Sequence, residues 1–371
     1  MAAAPETDVR DELRAVVREL LAKGRASEGV PRRRLAEAGW LGLEVPEGLD
    51  GAGVTFAETA VVLEELGRAA ARTGYFGVTV LAAGTLIALQ PTAERDALLR
   101  RTANGTEALT AALVDATDDN LVAGTFDDRD VPFRIEDSRA GPRLSGHAGF
   151  VPDAAEADRL LLLALDPAGT PVVVLLAPGA KGLTVTGQPV LDATRRFALV
   201  RAEAVALDEG CVLRFDGDPR GAVARLLDRA AVATACDSLG LAEAMLEATV
   251  AHTRGREQFG RPVGSFQAVK HTCADMLVRL SVSRHLVSEA VRLSGEERAE
   301  ERVEAGVAAS MAKSYVCAAA VDVVGDAMQL HGGMGYTWES GIHLYFKRAT
   351  LNRSLFGSPA AHRRRLAGRY L

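Results

Sequence analysis

The chain is poor in the features that would commit it to the simplest alternatives. Its four cysteines, Cys211, Cys236, Cys273 and Cys317, lie far apart and in no CxxC or Cys/His spacing. That pattern argues against a disulfide framework or a zinc ligand set, and the four read as small buried hydrophobes in a reducing compartment. Basic residues are not in excess: 43 Lys and Arg against 49 Asp and Glu give a formal charge of −6. Nucleic-acid binding leaves the opposite footprint, a clustered basic surface. The longest apolar runs, residues 160–165 and 172–177, are of strand length and fall far short of a membrane span. Residues 1–20 alternate acids and bases and lack the apolar core of a signal peptide. Internal repeats are missing, as is low-complexity sequence beyond an enrichment in Ala and Arg. A cytoplasmic protein that engages neither nucleic acid nor membrane is expected.

With 48% hydrophobic and 25% charged residues the composition is that of a globular protein, and 371 residues exceed what one core normally serves. Three segments of different character follow one another. Residues 1–110 read as helices: Leu13, Val16, Val17, Leu20 and Leu21 recur at i, i+3, i+4 spacing, and 59–71 is a second amphipathic stretch. Between them Pro46, Gly48, Gly51 and Gly53 mark a loop. Residues 111–215 carry short β-rich runs at 151, 160–165, 172–176, 183–186 and 197–200, punctuated by Pro, Gly and Asp. Residues 216–371 return to long helical periods. One of these sets Phe266, Val269, Cys273, Met276, Leu277 and Leu280 on a single face, with Ser265 as its N-cap.

Two motifs carry chemistry. In Arg256-Glu257-Gln258-Phe259-Gly260 a guanidinium presents a planar fork matched to phosphate oxygens, beside a ring able to lie against a planar ligand. Alone, such an RxxFG is a solvated helix end whose Arg254 and Arg256 suit the C-terminal dipole; the following Gly264-Ser265-Phe266-Gln267 lengthens the match. The second is Gln329-Leu330-His331-Gly332-Gly333-Met334-Gly335-Tyr336, where paired glycines admit close backbone approach to a ligand. His331 reads as a loop-packing residue. Together with Leu35-Ala36-Glu37-Ala38-Gly39-Trp40-Leu41-Gly42 and Val45-Pro46-Glu47, these runs make the chain resemble the acyl-CoA dehydrogenase family over essentially its whole length. The resemblance is strongest in residues 30–70 and 236–349 and weak between 105 and 155. It implies an N-terminal helical domain, a middle β domain and a C-terminal four-helix bundle. It also implies FAD as cofactor, with Arg256, Phe259, Gln267, Gln329 and Gly333 contacting it. In the family the last two reach the FAD held mainly by a neighbouring subunit.

Against that resemblance the departures form a pattern. The family's catalytic carboxylate falls at Phe356, in Phe356-Gly357-Ser358, and a phenyl ring neither takes nor gives a proton. The alternative position on an earlier helix is Ala230. Asp228 lies two residues away, about 200° round a helix and so on another face. The Thr-Glu-Pro and Gly-Ser-Asp flavin loop should lie at 112–120, where the chain has Ala-Leu-Val-Asp-Ala-Thr-Asp-Asp-Asn. The Trp-Ile-Thr-Asn strand corresponds to Phe150-Val151-Pro152-Asp153, whose proline has no N–H to donate and no hydroxyl. The resemblance therefore implies the non-catalytic subunit of a heteromeric acyl-CoA dehydrogenase, as occurs among actinobacterial enzymes acting on sterol side chains. Its expected partners are an acyl-CoA substrate and an intact family member, in an α2β2 tetramer with Val307, Met311, Tyr315, Val323 and Met328 at helix interfaces. Two alternatives stay open: a self-sufficient homotetrameric flavoenzyme using Glu339, Asp228 or Asp115 as base, and a non-enzymatic acyl-CoA-binding or structural relative.

Overall fold

A computed structural model describes residues 6–22, 29–119, 128–139, 141–208, 210–295 and 299–368. Local chemistry sets the helix starts. α1 (Glu6–Ala22) and α2 (Arg32–Glu37) precede α3 (Phe56–Arg68). The Thr55 hydroxyl accepts from the Ala57 amide at 3.2 Å, and the Glu58 carboxylate accepts from the Thr55 amide at 3.0 Å, a capping box that begins α3. A π-helix, Phe76–Ala83, runs into α4 (Gly84–Ile87), and every one of its residues is buried, which explains its lack of an amphipathic stripe. α5 (Ala93–Ala103) starts at Thr92, whose hydroxyl accepts from the Arg95 amide.

The middle of the chain forms β1 (Leu109–Ala112), β2 (Phe133–Ser138), β3 (Gly141–Pro152), β4 (Arg159–Leu165), β5 (Pro171–Leu176), β6 (Leu183–Gln188), β7 (Phe197–Ala206) and β8 (Val212–Arg214). They make one sheet in the order β6-β7-β3-β2-β4-β5-β8, with β1 parallel to β4. On β4 successive side chains point to opposite faces: Leu161, Leu163 and Leu165 join the core shared with the helices, while Leu160 and Leu162 join a second core inside the sheet layer. A strand buried on both faces has no polar alternation, which is why 160–165 is continuously apolar.

Asp218 caps α6 (Pro219–Gly255) through its carboxylate, with proline at the first helical position. A two-strand hairpin, β9 (Glu257–Gln258) and β10 (Arg261–Pro262), leads to α7 (Gln267–Leu293), α8 (Ala299–Leu330), α9 (Ile342–Ser354) and α10 (Pro359–Gly368). α6, α7 and α8 pack together, and α9 and α10 pack on α8. Within α8, Arg302–Leu330 is long and apolar enough to cross a membrane by length and composition, but 67% of its most apolar window is buried inside the protein. It is a bundle core helix.

Where α3 crosses α6 the backbones nearly touch. A Cβ on Gly240 would stand 1.9 Å from the Glu64 carbonyl oxygen, and one on Gly67 2.1 Å from that of Asp237. Gly240→Ala must push the helices apart, and a loss of about 1–3 kcal/mol is expected, read as a lowered denaturation midpoint.

Several sequence expectations are corrected. Phe266 occupies the N-cap of α7 and Ser265 does not: it ends the preceding turn, Val263–Ser265, and its hydroxyl is buried without a partner among the described residues. On α7 Met276 and Leu280 are buried but Leu277 is 56% exposed, because its direction lies about 100° from that of Met276. Val16 on α1 is likewise exposed beside buried Val17. Cys236 and Cys317 are buried as expected, whereas Cys211 and Cys273 are half-buried. Val323 is fully buried within its own chain, leaving Met311 and Tyr315 as the exposed members of the α8 set.

Candidate functional site

Phe356 ends the connection after α9 with a left-handed backbone (φ 52°), a costly state for a bulky residue unless its surroundings impose it. They do. Its amide donates to the Ala116 carbonyl at 2.7 Å, and its carbonyl accepts from His362 Nε2 at 2.9 Å. Its buried ring stacks on Phe76 of the π-helix, centroids 5.6 Å apart and planes 25° from parallel. Arg195 covers the Phe76 ring, 5.2 Å from its centroid. Burial, with Lys313 nearby, pushes His362 down to about 3, so it is a neutral structural donor at ordinary pH.

The next residue but one closes the arrangement. The Ser358 amide and hydroxyl both donate to Asp119, at 2.8 and 2.7 Å. Although burial opposes it, these bonds hold the Asp119 carboxyl below its ordinary range. Residues 112–119 are thus tied to the 356–358 turn, while Asn120, the last of the expected flavin-loop segment, lies outside the described residues. Pro152 contributes only a carbonyl, which accepts from the Thr110 hydroxyl at 2.8 Å. Two stacked phenyl rings and the Asp119–Ser358 tie therefore occupy this turn, and position 356 carries no carboxylate.

The other candidate base positions differ in their surroundings. Ala230 is buried in α6. Asp228 is held by both terminal nitrogens of Arg365, one at 3.0 Å. Asp115 Oδ1 accepts the Thr117 amide and hydroxyl at 3.0 and 2.8 Å in a tight local turn. Glu339 is exposed.

Beneath this region lies a charge network that sequence reasoning missed. Asp237 on α6 is fully buried, accepts from Arg348 Nε at 3.0 Å and from Asn352 Nδ2 at 2.6 Å, and forms an ion pair with Arg195 at 3.1 Å. Burial raises its pKa, but the two guanidiniums outweigh that and hold the carboxyl below its usual range. The one local signal was Asp237, a lone carboxylate in a stretch of α6 otherwise made of apolar and small residues, whereas Arg348 stands among other polar and charged positions of α9.

The remaining predicted residues meet at one end of the bundle, where α6 and α8 finish and α7 begins. His252 near the end of α6 stacks on His331, centroids 4.4 Å apart, and His331 Nδ1 donates to the Ala327 carbonyl at 2.7 Å, a packing role. The Arg256 backbone is fixed by His252 and Val263 at 2.9 and 2.8 Å. Its guanidinium is exposed, with neither hydrogen-bond nor ion partner among the described residues. Phe259 is 91% exposed in a left-handed conformation (φ 52°), meeting Phe266 edge-on, and Arg261 covers the Phe266 ring at 4.1 Å. Gln267, Gln329 and Gly333 are exposed beside them. A guanidinium, two carboxamides, an outward ring and bare backbone suit a ligand with a planar ring and phosphates, presented from outside the chain.

Comparison with known proteins agrees with the architecture. Residues 4–106 match the family model for the acyl-CoA dehydrogenase N-terminal domain, and 220–371 that for the C-terminal domain. The acyl-CoA dehydrogenase IpdE2 of Mycobacterium tuberculosis is 31% identical over 357 residues, 95% of this chain and 90% of that protein. Among solved structures, a variant of the Tcur3481-Tcur3483 steroid ACAD aligns over 98% of this chain and 97% of its own at 28% identity and a TM-score of 0.80. The ChsE4-ChsE5 complex from Mycobacterium tuberculosis shares the fold, over 99% and 98% of the two chains at 24% identity and a TM-score of 0.83. On these grounds the chain belongs to the acyl-CoA dehydrogenase family.

Proposed function

We propose that this chain is the non-catalytic subunit of a heteromeric, FAD-dependent acyl-CoA dehydrogenase, an oxidoreductase that places a double bond between the α and β carbons of an acyl-CoA thioester. It supplies the trans half of the FAD site, and a partner of the same family supplies the flavin pocket and the base. Bound FAD provides the hydride acceptor. This chain's part is binding and orientation: Arg256 meets phosphate charge, Phe259 offers a ring face, Gln267 and Gln329 offer amides, and Gly333 lets the backbone come close. The observation that carries the reading is the contrast between the Phe356 turn and the exposed end of the helix bundle. The cis position is filled by Phe356 against Phe76 and tied shut by Asp119 and Ser358, while Arg256 and Phe259 stand exposed at the bundle end.

The assembly is an α2β2 tetramer in the cytoplasm, and the similarity to a steroid ACAD favours a steroid-derived acyl-CoA as substrate. Exposed Leu277, Val278 and Val282 on α7, and Met311 and Tyr315 on α8, supply apolar surface for association. None of the three alternative carboxylates favours a self-sufficient enzyme, since two are engaged and the third is open to solvent.

Native mass spectrometry and flavin absorbance test this directly. The chain expressed alone should be FAD-poor, and coexpression with an intact family member should give a yellow tetramer of both chains. Stoichiometric FAD with turnover by the isolated chain would overturn the proposal. Arg256→Ala in the complex removes a charge-assisted phosphate contact, and FAD affinity should fall about tenfold. Unchanged flavin affinity would make the motif structural only.

A further inference from the structure

A cavity of about 420 Å³ lies between the N-terminal helices and the sheet, in a place the dehydrogenase reading does not use. Val30, Leu35, Leu41, Val78 and Leu109 make it apolar over much of its lining. Two of its ion pairs are internally satisfied, Arg32 with Asp158 at 3.0 Å and Arg196 with Glu156. That leaves one charge of each sign. Asp153 has a left-handed backbone (φ 56°), and its carboxyl lies close against Gly77. Glycine at 77 admits that close contact, since a Cβ there would stand 2.9 Å from Asp153 Oδ2. The nearest cation acting on it, Arg195, spends its ion pair on Asp237. Arg72 is half-buried: the Val30 amide donates to its carbonyl at 2.8 Å, and its guanidinium has no partner among the described residues.

A half-buried charge without a counter-charge is costly, and a ligand bearing one charge would leave the other stranded. We infer that this cavity binds a small zwitterion with an apolar substituent, the chemistry of a free hydrophobic α-amino acid, with its ammonium on Asp153, its carboxylate on Arg72 and its side chain against the Leu35, Leu41 and Val78 wall. The cavity lies outside the FAD-facing end of the proposed subunit role, although Asp153 ends the 150–153 run and lies against Gly77, next to Phe76. Asp153 also gives binding a pH signature. Desolvation, opposed by Arg195, Gly77 and Arg348, raises its carboxyl to about 6. An ammonium ligand needs the ionised form, so affinity weakens as pH falls through that value. The other charged groups lining the cavity are Arg32, Arg72, Glu156, Asp158 and Arg196.

Calorimetric titration of the full-length chain with L-leucine and L-phenylalanine, beside hexanoate and hexylamine as single-charge probes, decides the matter. The amino acids should bind at least about tenfold more tightly than either single-charge probe, and Asp153→Asn and Arg72→Gln should each cost about tenfold or more. Affinity should also drop between about pH 7.5 and about pH 5. Absence of binding by every probe at concentrations on the order of 10 mM would overturn the inference, as would hexanoate or hexylamine matching leucine. Leucine binding unaltered by Arg72→Gln would do the same, and that variant, at a half-buried position, decides the question if Asp153→Asn fails to fold.

Discussion

Asp228→Asn, Asp115→Asn and Glu339→Gln, each made in the assembled enzyme, are expected to leave kcat within about threefold of wild type, whereas removing the partner's carboxylate should cost well over about 10²-fold, the lower bound for a lost general base. Each substitution has its own physical reason for being mild. Asp228 already serves Arg365 as a counter-charge. Asp115 serves its own turn through Thr117. Glu339 is in solvent. Steady-state turnover of the complex with an acyl-CoA is the measurement, and a fall of about 10²-fold in any one of the three would put the base in this chain. Phe356→Glu should not create a second active site, because Phe76, Pro152 and the Asp119–Ser358 tie all remain.

The second large effect concerns stability. Asp237→Ala strands the buried guanidiniums of Arg348 and Arg195 together, and should destabilise the protein by about 3–5 kcal/mol in chemical denaturation. Arg348→Met should cost less, since Arg195 and Asn352 still serve the carboxylate. If both variants unfold at the wild-type midpoint, the network contributes nothing net. The pH sign follows from the direction of the shift. A carboxyl held below its ordinary value adds stability that is complete above about pH 4 and is lost as pH falls through its folded value. At neutral pH the network is therefore insensitive to small pH changes.

Much of the architecture was legible because it rests on local patterns. The strand-length apolar runs became β4 and β5, and the RxxFG run with the later GxFQ became the end of α6, its hairpin and the start of α7. The Gln329 and Gly333 turn came to the same end, joined to α6 by the His252–His331 stack. What stayed hidden depends on contacts distant in sequence. Phe356 announced an absent base, but nothing local marked Phe76 as its partner. Asp237 stood out as a lone charge in α6, but nothing local pointed to Arg348, 111 residues away, as its partner. Periodicity failed at the level of single residues: Leu277 and Val16 sit one position from buried neighbours, and a helix turns about 100° between them. Ser265 had the right residue type for a cap, yet Phe266 took the extended backbone that begins α7.

The Phe356–Phe76 stack has an evolutionary consequence. A duplicated subunit that merely lost its carboxylate could regain function by one codon change, so the two members of a heteromer could trade roles. Here the aromatic pair, the proline at 152 and the bonds from Ser358 to Asp119 are separate departures in the same region. Undoing any one alone leaves the others in place, so single reversions bring no gain for selection to act upon. Under the proposed subunit role, division of labour between two family members would then act as a ratchet, one that no single substitution reverses.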